Sequence, residues 1–236
     1  MPDKNNGETP SYGHKPPPNS YLFRRIAVYI VGLFCIAFGI ALSINADLGI
    51  SPVTSLPFVV SLILETDMGI VVPSTFAAMM LLQIILLRRK FKLISLTQMI
   101  FSTIFGYFID AARIIIGDFL IPTYFGQLIL LAASIIFIAL GLLLSIRTRL
   151  VPMPSESLLV TLAEVIPNSR LHIVKIVMDC VIVAMAMAGS LIFLGEVHAI
   201  REGTVLSAIF VGKAIPYIEK AVLPILVRIK AVERPV

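Results

Sequence analysis

Apolar residues run along this chain in long blocks, separated by short stretches of polar and basic residues. Residues 26–44 contain no charged side chain, and a helix needs about 20 apolar residues to cross a bilayer. Six blocks reach this length and are predicted to span a membrane. They are residues 24–44, 69–87, 94–113, 121–146, 172–194 and 203–225.

Two further apolar blocks are too short for an ordinary span. They are predicted as short helices at residues 52–65 and 154–167, each about 20 Å long, against a hydrocarbon core of about 30 Å. Each begins at a proline, Pro52 or Pro154, and Ser51 is a good N-cap residue. Two interpretations are open at this point: re-entrant half-helices, or tightly fitted full spans.

The basic residues favour the re-entrant interpretation. If only the six long blocks cross, the clusters at residues 24–25, 88–92, 147–149, 170 and 228–234 all face the cytoplasm, as the positive-inside rule requires. The acidic junctions between blocks then face outward. They are Asp47, Glu65, Asp67, Asp118, Glu196 and Glu202. Both termini are therefore predicted to be cytoplasmic, with residues 1–20 a polar, Pro-rich and disordered tail and residues 227–236 a second tail.

The chain also repeats itself. Residues 39–58 align with residues 141–160 without a gap at an offset of 102, with eight of twenty positions identical, including Gly39 with Gly141 and Pro52 with Pro154. A weaker match pairs Gly106 with Gly212. Three crossings per unit make the second unit inverted. The predicted fold is thus an all-α polytopic membrane protein with six transmembrane helices, two re-entrant half-helices and two inverted repeats, residues 21–118 and 119–226.

Composition supports this fold and excludes other classes. The chain is 58% hydrophobic and 14% charged, whereas soluble domains carry about 25% charged residues. The net charge of +5 follows from membrane topology, so no nucleic-acid partner is predicted. Cys35 and Cys180 are interpreted as small apolar residues. No nucleophile–base pair, phosphate loop or metal-ligand spacing is seen, so neither an enzyme nor a cofactor or metal site is predicted.

The candidate site combines the two short helices. Their N-termini are expected to face each other near the membrane centre, where the helix dipoles and free N–H groups favour an anionic or polar solute. The predicted solute-binding residues are Ser51, Pro52, Thr54, Ser55, Pro154, Ser155, Glu156 and Ser157. The alternative is that these hydroxyl groups only bond back to their own helical turn.

Three charged residues complete the candidate site: Glu156, Asp179 and Lys213. Charges inside a membrane are costly and indicate function by default. We expect Lys213 to pair with Asp179 or Glu156. The alternatives are an i,i+4 pair of Asp179 with Lys175, and a capping-box role for Glu156.

Three polar residues of the third span, Gln98, Ser102 and Thr103, either line the site or bond between helices. Outside the membrane, Asp47 is expected to cap a helix or to pair with Arg113 or Arg201.

Two motifs carry a resemblance. The stretch ADLGISP, residues 46–52, and the stretch REGTVLSAIFVG, residues 201–212, resemble the YitT/YczE-type family of bacterial integral membrane proteins, whose members tend to carry Ala-Asp-Leu-Gly-x-x-Pro and Gly-Thr-Val-x-x-Ala-x-x-x-Gly. The resemblance runs from about residue 24 to residue 225 and implies no particular substrate. Relatives are expected to carry an acidic residue after the first proline, whereas this chain has Thr54 there and Glu156 in its second copy.

These observations predict a small-solute transporter or channel of the bacterial cytoplasmic (inner) membrane. Its partners would be the lipid bilayer and an unidentified small solute, and homo-oligomerisation stays open. The alternative is a membrane accessory or regulatory protein that transports nothing and acts through a partner.

Overall fold

The computed structural model describes residues 22–88, 91, 93–117, 119, 121–148, 150–166, 171–198 and 200–228. Within this part of the chain the fold is all-α, as predicted. The helices are α1 (Leu22–Ala46), α2 (Pro52–Leu64), α3 (Met68–Leu87), α4 (Thr97–Ile116), α5 (Tyr124–Thr148), α6 (Pro154–Val165), α7 (Leu171–Leu194) and α8 (Glu202–Arg228), with a 3₁₀ turn at Leu93–Leu96. Each helix begins and ends within three residues of its predicted segment.

Some predictions fall on residues outside this part of the chain. They concern the tail at residues 1–20, most of the tail at residues 227–236, and the charged residues Arg89, Lys90, Lys92, Asp118, Arg149, Arg170, Lys230 and Arg234.

Five of the described helices, α1, α3, α4, α5 and α7, are long and apolar enough to cross a membrane. The sequence predicts six such helices. α8 is the longest at 27 residues, but Lys213, Glu219 and Lys220 interrupt its apolar positions. Length and apolar composition therefore identify a multi-pass helical protein with five clear spans and one helix of mixed character.

Local backbone chemistry determines where the first short helix begins and ends. The Ser51 carbonyl accepts the N–H groups of Thr54 and Ser55, each at 3.0 Å, while the Ser51 side chain makes no capping bond. At the other end Glu65 adopts a left-handed conformation with φ of 50°, and the N–H of Thr66 bonds back to Ser61 at 3.0 Å. This reversal satisfies the last carbonyl groups and ends the helix.

The offset of 102 residues reappears in the structure. α1 and α5 both have 25 residues, and their first residues are 102 apart, as are those of α2 and α6. α1 and α5 pack closely against each other. A Cβ atom at Gly39 would lie 2.7 Å from Cγ1 of Ile138, and a Cβ atom at Gly141 would lie 2.6 Å from Cγ1 of Ile36. Because Ile36 and Ile138 are themselves equivalent, the two helices cross about a local twofold axis.

The contacts at the ends of α1 show that this crossing is antiparallel. Arg25, near the start of α1, donates to the Thr148 carbonyl at the end of α5 through Nε at 3.0 Å and Nη2 at 2.5 Å. At the other end of α1, Ala46 and Leu48 pack in one buried cluster with Leu131 of α5. α1 and α5 thus run in opposite directions.

The outer helices follow the same twofold arrangement. α4 packs beside α1, with rings of Tyr29 and Phe101 4.9 Å apart, and α8 packs beside α5, with Arg147 paired to Glu219. The short helices cross between repeats, since α2 packs on α7 and α6 packs on α3. Each short helix therefore contacts a long helix of the opposite repeat.

One contact breaks the symmetry. α3 packs on α4, where a Cβ atom at Gly106 would lie 3.1 Å from Cα of Gly69. By contrast α7 and α8 make at most marginal contact within the described residues, and a Cβ atom at Gly212 would meet no atom within 4 Å. The sequence pairs Gly106 with Gly212, but the two glycines have different surroundings.

Candidate functional site

Polar side chains from three long helices converge on the beginning of α6. The Tyr29 hydroxyl of α1 donates to the Val151 carbonyl at 2.9 Å. The Gln83 amide of α3 donates to the Pro154 carbonyl at 2.8 Å. The Gln98 amide of α4 donates to the Ser157 hydroxyl at 2.8 Å. We call Tyr29, Gln83, Gln98, Glu156 and Ser157 the α6 polar cluster.

The side-chain amide oxygen of Gln98 has no hydrogen-bond partner among the described residues. This atom, Oε1, is buried, and the residue as a whole is 3% exposed. Buried polar atoms are nearly always paired, because an unpaired one has lost its water without a replacement. The fold therefore carries an energetic cost at Gln98 that its own contacts do not recover.

Glu156 occupies the first turn of α6, where its carboxylate lies close to the Met153 backbone N–H and is stabilised by it. The Met153 carbonyl in turn accepts the N–H of Ser157 at 2.9 Å. This position fits the capping-box alternative, in which a carboxylate faces a free N–H at a helix start. Lys175 of α7 and Tyr29 both interact electrostatically with the Glu156 carboxylate.

The hydroxyl groups of α2 behave differently. Thr54 donates to the Ser51 carbonyl at 3.0 Å, and Ser55 donates to the Pro52 carbonyl at 2.7 Å. Both side chains are buried. They bond back to their own turn, as the alternative interpretation of the sequence has it.

The two predicted halves of the site are attached to opposite parts of α1. The chain before Pro154 bonds to Tyr29, whereas the chain before Pro52 bonds to Ser43, whose hydroxyl donates to the Gly49 carbonyl at 3.1 Å. Tyr29 and Ser43 are about 21 Å apart along the helix. Within the described residues no hydrogen bond joins the two halves. A site shared between both N-termini stays a prediction.

The three charged residues of the candidate site do not pair with one another. Asp179 pairs with Lys175 at 2.9 Å, which is the i,i+4 alternative. Lys213 lies over the ring of Phe210, 5.8 Å from its centroid. Among the described residues no acidic group lies within 4.0 Å of the Lys213 ammonium, so the pairing that we expected for Lys213 is not seen.

Outside the bundle, the stretch before α2 is attached to the start of α8. Asp47 pairs with Arg201, one of its two predicted partners, at 3.4 Å. The Gly203 N–H donates to the Leu48 carbonyl at 2.6 Å. Gly49 has φ of 101°, a conformation open mainly to glycine, and it packs against Arg201 and Thr204. Both motifs of the sequence resemblance therefore meet at one end of the bundle.

Tyr29 and Gln83 were missed by reasoning from the sequence, and Gln98 was seen only as one of three lining residues. The repeat could have revealed Tyr29 and Gln83. At an offset of 102 residues their counterparts are the apolar Leu131 and Met185, whereas the alignment of Gly106 with Gly212 pairs Gln98 with the polar Thr204. A polar residue in one copy and an apolar residue in the other marks a position where the shared fold does not require polarity.

These features define an α-helical, multi-pass membrane protein with a buried polar cluster at the start of one short helix. The chain belongs to the protein family DUF6198, a family of unknown function, whose sequence model matches residues 23–220. No protein of curated function and no solved structure matches the chain significantly.

Proposed function

We propose that this protein is a small-solute transporter with inverted repeats, and that its solute binds at the α6 polar cluster. The matched, antiparallel contacts of α1 and α5 support this proposal, in which two similar units have opposite orientations. Inverted repeats of this kind are a recurrent transporter architecture, with solute sites at discontinuous helices between the repeats.

In this proposal the chain crosses the membrane six times, with α8 as the sixth span. α8 packs on α5 and has the length for a full crossing, about 40 Å. The Arg147–Glu219 pair supports this arrangement, because it allows α8 to carry an acidic group near the cytoplasmic end without leaving it unpaired. Six crossings place both termini in the cytoplasm.

The two short helices are proposed to be re-entrant. α2 and α6 have 13 and 12 residues, about 20 and 18 Å, which is too short for a hydrocarbon core of about 30 Å. Residues beside their prolines, Val53 and Met153, pack against the same buried apolar cluster. This packing supports a path into the bundle for the start of each short helix.

The observation that carries the solute site is the number of buried polar partners that three long helices supply to the start of α6. α1 and α5 begin 102 residues apart, as do α2 and α6, but the polar neighbours of the two short helices differ. The stretch before α2 accepts a hydrogen bond from Ser43 of α1, whereas the start of α6 is bonded by Tyr29, Gln83 and Gln98 from three long helices. At the equivalents of Tyr29 and Gln83 the second half of the chain has the apolar residues Leu131 and Met185. Buried polar groups are costly in a membrane and are retained mainly for function.

The resemblance of the sequence to the YitT/YczE-type family supports a bacterial cytoplasmic membrane as the location. It also supports the whole stretch of about residues 24–225 as the functional unit. It does not suggest a substrate, so the solute must be found by experiment.

The test is uptake by proteoliposomes that contain the purified chain. A panel of radiolabelled amines, amino acids and weak acids is screened first, and empty liposomes give the background. For any solute that is taken up, Ser157→Ala should lower uptake strongly. Ser61→Ala is the matched control, because Ser61 is also a buried hydroxyl on a short helix and bonds only to its own turn, at 2.7 Å.

Ser55→Ala distinguishes the α6 site from a site shared by both short helices. An effect of Ser157→Ala alone supports the α6 site, and equal effects of both variants support the shared site. If no solute of the panel is taken up above background, the transport proposal is contradicted and an accessory role is favoured.

A further inference from the structure

The α6 polar cluster has hydrogen-bond acceptors to spare. The Tyr29 hydroxyl donates its only hydrogen, and Gln83 and Gln98 each donate one amide N–H to a carbonyl or hydroxyl group beside α6. The buried atom without a partner is Oε1 of Gln98, an acceptor. A ligand that completed this cluster would therefore supply hydrogen-bond donors or positive charge.

Glu156 adds a formal negative charge to the same turn. Its carboxylate lies beside the free N–H of Met153, so it occupies the place that a bound anion would take at a helix N-terminus. A helix start carries about half a positive charge, and together with a full carboxylate charge the local balance is negative. An additional anion is disfavoured here, contrary to what the two bare helix N-termini suggest in the sequence.

No basic group of the described residues neutralises Glu156 by direct contact, since none lies within 4.0 Å of its carboxylate. Lys175 acts on it only through space. The Lys175 ammonium lies 2.9 Å from Asp179, and its side chain is half exposed. A carboxylate in a membrane bundle is energetically unfavourable without a counter-charge. A bound cation would supply that counter-charge.

We propose that the α6 polar cluster binds a small cation through Oε1 of Gln98, the carboxylate of Glu156 and the hydroxyl of Ser157. Oxygen ligands of this kind suit both an alkali cation and a protonated amine, which share positive charge and small size. Ser157, which Gln98 contacts, directly follows Glu156 in the first turn of α6. The inference rests on the proposed transport function, in which the cation is either the coupling ion or the charged group of the solute.

The experiment measures the thermal stability of the full-length chain in detergent by circular dichroism. Sodium chloride or methylammonium chloride is titrated in, and choline chloride replaces them to hold the ionic strength constant. Choline carries charge but no N–H donor and is bulky. If a cation binds the folded state, the melting temperature should rise as its concentration is raised. At concentrations well above the dissociation constant, the stabilisation should increase with the logarithm of the cation concentration.

Two variants locate the site. Glu156→Gln and Gln98→Leu should each raise the concentration needed for a given stabilisation by about tenfold or more, since each removes one direct contact to the cation. Glu164→Gln is the matched control, because Glu164 lies on the same helix but is exposed and outside the cluster. This control should leave the titration unchanged.

Stabilisation by sodium alone identifies an inorganic cation, and stabilisation by methylammonium alone identifies an amine-bearing solute. A flat response to both cations overturns the proposal. So does a response that both cluster variants leave intact, because the cation then binds elsewhere. If Glu156→Gln does not fold, Gln98→Leu and Ser157→Ala carry the same test.

The outcome is separable from that of the transport proposal. If an anionic or neutral solute is taken up and neither cation affects the melting temperature, the transport proposal is supported and the cation site is refuted. If a cation binds but no solute is taken up, the cation site is supported and the transport proposal is refuted.

Discussion

Replacing Gly141 by alanine tests the twofold crossing of α1 and α5 directly. The new Cβ atom would lie 2.6 Å from Cγ1 and 2.7 Å from the backbone nitrogen of Ile36. Because a backbone atom cannot move aside as a side chain can, the two helices must separate locally. Overpacking of this kind costs about 1–3 kcal/mol of unfolding free energy.

A second term acts in the opposite direction, because alanine favours a helix over glycine by about 1 kcal/mol. Gly212→Ala isolates this term, since Gly212 is also helical and its new Cβ atom would meet nothing within 4 Å. The difference between the two variants is then the packing cost alone. About 1–3 kcal/mol corresponds to a difference in melting temperature of about 2–12 °C for a chain of this size.

Gly39→Ala provides the internal check. Its Cβ atom would lie 2.7 Å from Cγ1 and 2.9 Å from the backbone nitrogen of Ile138, so its environment mirrors that of Gly141. Thermal unfolding in detergent should show both variants destabilised relative to Gly212→Ala by similar amounts. If either variant is as stable as Gly212→Ala, the close crossing, and with it the twofold relation of the repeats, is refuted.

Three further changes should alter stability through named contacts, again measured by thermal unfolding in detergent. Gln83→Leu should lower the unfolding free energy by about 0.5–1.5 kcal/mol, because it removes the buried hydrogen bond between Gln83 and the Pro154 carbonyl. Gly106→Leu should be more damaging than any alanine variant here, because the α3 backbone lies directly against Gly106. Arg25→Met should destabilise the chain by about 1.5–3 kcal/mol, since two charge-assisted bonds to the Thr148 carbonyl are lost while the apolar stem is kept.

Each of these three changes has a control elsewhere in the chain. Met185→Leu changes the counterpart of Gln83 in the other repeat and should be nearly neutral. Gly212→Leu adds the same side chain as Gly106→Leu where no neighbour is close. Arg24→Met removes the same charge from an exposed position beside Arg25. Equal loss of stability in a variant and its control would contradict the contact assigned to that variant.

Most of the helical framework could be predicted from the pattern of apolar residues. Block length indicated each long helix, and Pro52 and Pro154 lie at the first turns of α2 and α6. These features are local, because a proline lacks the N–H group that a later turn would need. The offset of 102 residues also predicted a second copy of each of the first two helices.

The environment of the candidate site could be predicted only in part. The sequence indicated Glu156 and Ser157, because both follow the second proline. It did not indicate that Gln83 and Tyr29 reach the same turn, from 71 and 122 residues away along the chain. Such contacts depend on which face each helix presents to its neighbours. In a helix that is apolar on all sides, the sequence does not indicate which face that is.

Lys213 is a residue for which the sequence predicts a contact that the structure does not contain among the described residues. The sequence predicts an ion pair for it, since a charge within a span needs compensation. In the structure α8 packs on α5 and stays apart from α7, so Lys213 meets the ring of Phe210 instead. The separation of α7 from α8, where α3 and α4 are in contact, is a property of the whole bundle.

The sequence by itself thus determined the helices and their approximate ends, because these depend on residues close together along the chain. The tertiary structure decided which copy of the short helix carries buried polar partners, and it left Oε1 of Gln98 without a partner. The physical reason is that hydrogen bonds between helices need atoms within about 3 Å. Only the packing of α1, α3 and α4 around α6 brings those atoms together.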